Sequence, residues 1–189
     1  MTRELLRSTL AETIALHRTV MDGDLAPVFA AAAAIAGAVA TGGKLLVFGN
    51  GGSAADAQHV AAELVGRFER ERRGIAAVAL TTDASVVTSI ANDYGFERVF
   101  ARQVEALGAR GDVAFGISTS GASGNIVAGL GAAAARGLTT VALTGKDGGA
   151  VGRSAAIHIN VPSPSAARVQ EVHRTLLHVI CDLVEQSVA

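Results

Sequence analysis

Lys44–Gly66, KLLVFGNGGSAADAQHVAAELVG, decides how the chain is read. Lys44–Phe48 is a short apolar run, Gly49–Ser53 is a glycine turn, and from Ser53 to about Phe68 apolar residues return at helical spacing. A buried strand that turns through glycines into a helix opens a βα unit. The turn is also an anion cradle, because the first N–H groups of a helix lack intrahelical partners and sit at its positive end. One turn further on, the helix carries His59 and Glu63, four residues apart and therefore on one face.

The same alternation runs outward in both directions. Residues 3–21 predict an amphipathic helix with Leu5, Leu6, Leu10, Ile14 and Val20 near helical spacing. Asp24 is the expected N-cap of a second helix, with Pro27 in its first turn and Thr41-Gly42-Gly43 closing it. Further strands are expected at Ala76–Leu80, Val113–Ile117, Thr140–Leu143 and Ala156–Val161. Helices are expected at about Ala84–Ala91, at Phe96–Leu107, from the end of STSGAS (Ser118–Ser123) to Ala135, and from Ser165 to about Ser187, with a short helical piece before the last strand. Asn92-Asp93 reads as a turn, and Glu69–Arg73 (ERERR) as a solvated charged loop. Strands that are apolar throughout and alternate with helices predict an α/β fold: a parallel five-stranded sheet in three layers. One domain is expected over residues 1–189, with 1–43 as extra N-terminal helices for packing between subunits and 44–189 as the α/β core.

Composition narrows the function. Half of the 189 residues are apolar but only 4% aromatic, which suits close helix–sheet packing through Ala, Val and Gly. Sixteen basic and 17 acidic residues leave a net charge of −1, which gives no support for a nucleic-acid or anionic membrane surface. Cys181 is alone, so no intrachain disulfide can form, and a reducing compartment, the cytoplasm, is expected. MTRELLRSTL mixes charge into every turn and does not read as a secretory signal. The longest apolar run, Val28–Ala40, is shorter than the roughly 20 residues needed to cross a bilayer.

Ser118–Ser123 is the stronger anion site. It follows a buried strand and opens a helix, and ligands of open α/β sheets bind at the carboxyl ends of strands. One cap needs one hydroxyl; here Ser118, Thr119, Ser120 and Ser123 place four in six residues. Gly121 allows close backbone approach. GNGGSA (Gly49–Ala54) also fits the dinucleotide fingerprint, but the acidic residue expected about 20 positions on is missing, Asp83 lies about 30 on, and no chain remains for a substrate domain. His59 and Glu63 can share a metal ion or form a surface pair. QEVHRTLLH adds Gln170, Glu171, His173 and His178. Residues eight apart on a helix rise about 12 Å, so Gln170 reaches the ion of His178 only by bending back or from another subunit. His17 and His158 have no visible partners, and Lys146 in TGKDGG fits an anion contact or a solvated loop equally.

Together GNGGSAADAQH, ANDYGF, GISTSGAS, LTGKDGG and QEVHRTLLH resemble the sugar isomerase (SIS) fold, and specifically the phosphoheptose isomerase family, over nearly the whole chain. The resemblance implies a flavodoxin-like SIS domain, a homotetramer with active sites at subunit interfaces, and isomerisation of sedoheptulose 7-phosphate to D-glycero-D-manno-heptose 7-phosphate. It implies substrate contacts at Asn50, Gly51, Gly52, Ser53, Asp93, Ser118, Thr119, Ser120, Ser123 and Gln170. It implies zinc, one per subunit, on His59, Glu63, Gln170 and His178, with Glu63 and His178 also as acid–base groups. Ala122 and Arg73 depart from the family, which usually has asparagine and proline there. The same fold resembles a replication initiator-associating tetramer and sugar-phosphate sensing modules. Against those stand the four residues His59, Glu63, Gln170 and His178, which a pure binding protein would not need, and the lack of a basic segment.

Overall fold

The computed structural model describes residues 2–188. In chain order these form α1 (Thr2–Met21), α2 (Ala26–Ala40), β1 (Leu45–Gly49), α3 (Gly52–Val65), β2 (Ala77–Ala79), α4 (Ala84–Tyr94), a 3-10 turn (Phe96–Arg98), α5 (Val99–Leu107), β3 (Val113–Ser118), α6 (Gly124–Ala135), β4 (Thr139–Gly145), α7 (Gly149–Arg153), β5 (Ile157–Val161) and α8 (Ala166–Val188). The five strands are all parallel, in the order β2-β1-β3-β4-β5. The chain leaves β1 for one edge and returns to β3 on the other side. The carboxyl ends of β1 and β3, with Gly49 beside Ile117, therefore border a crevice at the topological switch point.

Every residue of β1 and β3 is buried, as their unbroken apolar runs require of a sheet covered on both faces. Leu45 and Val47 face one core, shared with α2, α3 and α8. Leu46 and Phe48 face the other, shared with α5 and α6, where Phe48 stacks on Phe100 at 5.1 Å. The expectation that the sheet does not need the N-terminal helices fails for α2. Val28, Ala31, Ile35 and Val39 belong to the same core as β1 and α8, so α2 is one wall of the sandwich. α1 is different: Leu5, Leu6, Leu10 and Ile14 are all more than half exposed. Among the described residues no single helix is long and apolar enough to cross a membrane.

Three further expectations change. Asn92-Asp93 is not a turn. α4 runs through it to Tyr94, because Gly95 at φ 84° supplies the left-handed residue that ends the helix. Asp24 is not the N-cap residue, which is Leu25, although its Oδ1 still accepts the Ala26 N–H at 2.9 Å. The charged stretch after α3 is not freely solvated. Glu185 of α8, fully buried, accepts the N–H groups of Phe68, Glu69 and Arg70 at 2.7, 3.0 and 3.0 Å and pairs with Arg72 at 2.9 Å. α3 accordingly ends at Val65 rather than Phe68.

Candidate active site at the switch point

The turn after β1 is built for close approach. Gly51 caps α3 with φ 55°, a conformation that suits glycine. Asn50 reaches across the crevice to Asn125 on α6. Each side-chain amide donates to the other's oxygen at 2.9 Å, so two loops on either side of the switch point are joined by a closed pair of hydrogen bonds. Ser53 is buried, and its N–H donates to the Asn50 carbonyl at 3.0 Å. Gly52 has no side chain where Gln170 of α8 lies; a Cβ there would stand 2.1 Å from Gln170 Nε2. Gln170 Nε2 donates to the buried carboxylate of Asp56 at 3.1 Å, and Arg174 pairs with the same carboxylate.

The loop after β3 gathers its hydroxyls. Ser118 Oγ lies 3.1 Å from Ser123 Oγ and 3.4 Å from Ser120 Oγ. Ser123 is the N-cap residue of α6 yet makes no side-chain capping bond, so its hydroxyl is turned inward and not spent on the helix. Thr119 is half-buried beside them. Gly121, at φ 67°, packs so tightly on Gly148 that a Cβ would fall 2.5 Å from the Gly148 carbonyl oxygen. Glu97 brings its carboxylate against Gly124 in the first turn of α6.

α3 and α8 bring the reactive groups together. His59 Nε2 lies 2.7 Å from His178 Nε2 and 3.4 Å from Glu63 Oε1. Two imidazoles at that distance share a proton: one ring donates N–H to the other's lone pair. Burial, then the neighbouring His59, pushes His178 below the usual histidine range. The donor set of two imidazoles and one carboxylate suits zinc, whose ligands at about 2.0–2.1 Å stand about 3.3 Å apart in a tetrahedron. The His59–Glu63 spacing matches that edge, while the closer His59–His178 contact is a hydrogen bond. Among the described residues no three His, Cys, Asp or Glu side chains are already arranged as a metal cage. Gln170 is not with them; it sits at the start of α3 on Asp56, where the helical rise between Gln170 and His178 leaves it.

Asp93, exposed in the last turn of α4, accepts from its neighbour Asn92 at 2.8 Å. Asp83, the weak dinucleotide candidate, caps α4 by accepting the Val86 N–H at 3.0 Å. Lys146 is exposed with φ 54°. His17 and His158 do have partners. His17 bonds the Thr13 carbonyl at 2.8 Å and Thr175 at 2.9 Å, and His158 bonds Thr144 at 2.6 Å. Asp56, Asn125 and Glu97 escape a reading by spacing, because each becomes informative only through a partner far along the chain. A cleft of about 140 Å³ borders Asn50 and Gly51, with Phe96 and Phe100 on its wall. A groove of about 610 Å³ is lined by Asp83 but by none of Asn50, Ser118, Ser123, His59, Glu63, Gln170 or His178.

Comparison with known proteins gives the chain a family. Residues 10–145 match the SIS domain. The chain is 55% identical over 174 residues to the phosphoheptose isomerase of Geobacter metallireducens, covering 90% of this chain and 92% of that one. It is 58% identical over 158 residues to the phosphoheptose isomerase of Aquifex aeolicus, covering 82% and 83%. The solved phosphoheptose isomerase GmhA of Neisseria gonorrhoeae superposes with a TM-score of 0.93 at 43% identity, over 98% of this chain and 100% of that one. The phosphoheptose isomerase of Francisella tularensis superposes at 0.94 with 35% identity, over 98% and 99%. The chain therefore belongs to the SIS-domain family. Within it, the chain's place is among the phosphoheptose isomerases.

Proposed function

We propose that this protein converts sedoheptulose 7-phosphate to D-glycero-D-manno-heptose 7-phosphate through an enediolate, in heptose biosynthesis. The observation that carries the reading is the meeting of Glu63, His59 and His178 at one point on α3 and α8. The hydroxyls of Ser118, Thr119, Ser120 and Ser123, with the N–H groups at the start of α6, take the phosphate. Asn50, Gly51, Gly52, Ser53, Asp93 and Gln170 contact the sugar; the position of Gln170 on Asp56 beside Gly52 supports that reading of Gln170. Glu63 removes the proton from C1, and the electrons move through C2 to the carbonyl oxygen, which His178 protonates. A proton returns to C2 while the C1 hydroxyl gives up its own, and C1 becomes the aldehyde. Oxidation and reduction are internal, so no external oxidant is needed. Acid–base help of this kind is worth roughly 10²–10⁴-fold per group. Held by His59, Glu63 and His178, zinc would supply Lewis-acid stabilisation of the enediolate oxygens.

The working form we propose is a cytoplasmic homotetramer. The exposed apolar face of α1 supports assembly. So does the size of the cleft at Asn50, about 140 Å³, against roughly 300–1,000 Å³ for sites that enclose a small ligand; neighbouring subunits would complete it. The single buried, free Cys181 suits a reducing compartment.

The test is incubation with sedoheptulose 7-phosphate, with and without chelator, following the aldose by NMR. Glu63→Gln keeps the shape of the side chain and removes its basicity, and turnover is expected to collapse. Turnover near wild type would remove Glu63 as base. Protein purified without added metal is expected to hold about one zinc per chain. Full activity in metal-free protein would leave the acid–base roles standing alone.

A further inference from the structure

Arg72 is a buried guanidinium, its side chain only 2% exposed. Such a group needs a counter-charge and acceptors for its N–H groups. Glu185 supplies the charge at 2.9 Å. The acceptors are main-chain carbonyls, three at the end of α3 and one in the segment that follows it. Nη2 donates to the carbonyl of Glu63 at 2.8 Å, and Nη1 to those of Leu64 at 2.8 Å, Gly66 at 3.0 Å and Arg73 at 3.1 Å. The last carbonyls of a helix lack intrahelical donors, and a cation there opposes the negative end of the helix dipole. Gly66 N–H already ends α3 in the ordinary way, on Ala62 O at 2.9 Å. Arg72 goes beyond a cap, because it grips the main chain of Glu63 itself.

The other end of this connection lies on α8. Glu185 follows His178 by seven residues, two helical turns along the same face, a rise of about 10 Å. Beyond the contacts of Asp56 with Gln170 and Arg174 near the start of α3, two more connections to α8 follow: His59 with His178 above, and below it Arg72, in the segment after α3, with Glu185. The upper contact is a single N–H···N bond between half-buried rings. The lower one is a guanidinium and a carboxylate, each nearly or fully buried and each bonded to several backbone groups, although Arg72 Nε has no partner among the described residues. The lower contact has more bonds than the upper, and it holds the main chain of Glu63 directly.

We infer that Arg72, held by Glu185, is a positioning residue that places the Glu63 carboxylate against His59 and His178. The inference rests on the reading of Glu63 as a working group in the reaction. Arg72 touches neither the hydroxyl loop nor the histidines, so its effect passes through Glu63.

The experiment compares Arg72→Lys, Arg72→Gln, Glu63→Gln and the double variants, with rates taken per folded chain well below each melting temperature. Arg72→Lys keeps the charge facing Glu185 and gives up the fork, so it holds fewer carbonyls and is the safer variant for folding. Both Arg72 variants are expected to lose roughly 10–100-fold in kcat, the scale of a displacement near 1 Å, with KM close to wild type. In the Glu63→Gln background the same changes should cost no further activity, the signature of two residues acting as one unit. Wild-type kcat in folded Arg72→Lys and Arg72→Gln, with Glu63→Gln impaired, would overturn the inference alone. A full, independent loss in the Glu63→Gln background would do the same. Wild-type turnover by Glu63→Gln would overturn the reading of the carboxylate and the inference with it.

Discussion

Replacing Gly52 with alanine separates the placing of Gln170 from the folding of the chain. The new Cβ would lie 2.1 Å from Gln170 Nε2, 2.6 Å from Oε1 and 2.7 Å from Cδ. Ordinary contacts begin near 3.5 Å, so the amide must retreat by roughly 1.4 Å. The obstacle is the end of a flexible side chain, and it can move. Moving it breaks the 3.1 Å bond to Asp56, a hydrogen bond to a charged group worth about 1.5–3 kcal/mol. Asp56 keeps Arg174 as a partner. Alanine in place of glycine at the helix start returns about 0.5–1 kcal/mol. The net cost is about 0.5–2.5 kcal/mol, a fall in Tm of roughly 1–10 °C. Displacing Gln170 from the sugar should lower kcat/KM by about 100-fold, far more than the melting change suggests. Thermal melts and the NMR isomerase assay read the two quantities on one preparation. In a Gln170→Ala background, Gly52→Ala should have little further effect on kcat/KM, since the displaced amide is gone. Unchanged kcat/KM in Gly52→Ala, with Gln170 seen displaced in its crystal structure, would refute the assignment of Gln170 to the site.

Two other outcomes follow from the same kind of accounting. Glu185→Gln leaves the buried Arg72 without its counter-charge and sets an amide against backbone N–H donors, so about 3–5 kcal/mol should be lost in denaturant melts. Burial alone would raise the Glu185 carboxyl, but the Arg70, Glu69 and Phe68 amides and Arg72 outweigh it and hold it at about 2, against an ordinary 4.5. Its contribution is therefore complete above pH 4.5 and lost as the pH falls through 2, and the acid dependence over that window should flatten in Glu185→Gln. Replacing Ser120 and Ser123 with alanine should raise KM for the sugar phosphate several-fold while Tm changes little, because Ser123 does not cap α6; an unchanged KM would move the phosphate elsewhere.

The parallel sheet was legible because β1, β3 and β4 are apolar runs buried on both faces, and only a covered parallel sheet accepts them. The hydroxyl loop was legible from a surplus: Ser118–Ser123 holds more hydroxyls than one cap uses. Strand order was not, since nothing local says that β2 goes to the edge and β3 returns beside β1. The eight-residue rise between Gln170 and His178 takes physical form in their contacts: Gln170 meets Asp56 near the start of α3, and His178 meets His59 further along it. The charged stretch misled for a specific reason. ERERR has the composition of a solvated loop, and only Glu185, more than 110 residues later, makes burial of Arg72 tolerable. Asn92-Asp93 misled because turn-forming residues also occupy the last turn of a helix when a glycine follows.

The paired amides of Asn50 and Asn125 constrain how this site can change over generations. Each side chain donates to the other and accepts from it, so the two residues form one closed unit. A single-base change turns Asn into Asp at either position, and it sets two acceptors against each other where Asn125 is buried. An unpaired buried polar group costs about 1–3 kcal/mol, enough for selection to act on. Loss at one position is repaired only by a matching change at the other, 75 residues away. The two loops bordering the switch point are therefore inherited as one character, and drift in the glycine turn is held in check by a residue on a different helix.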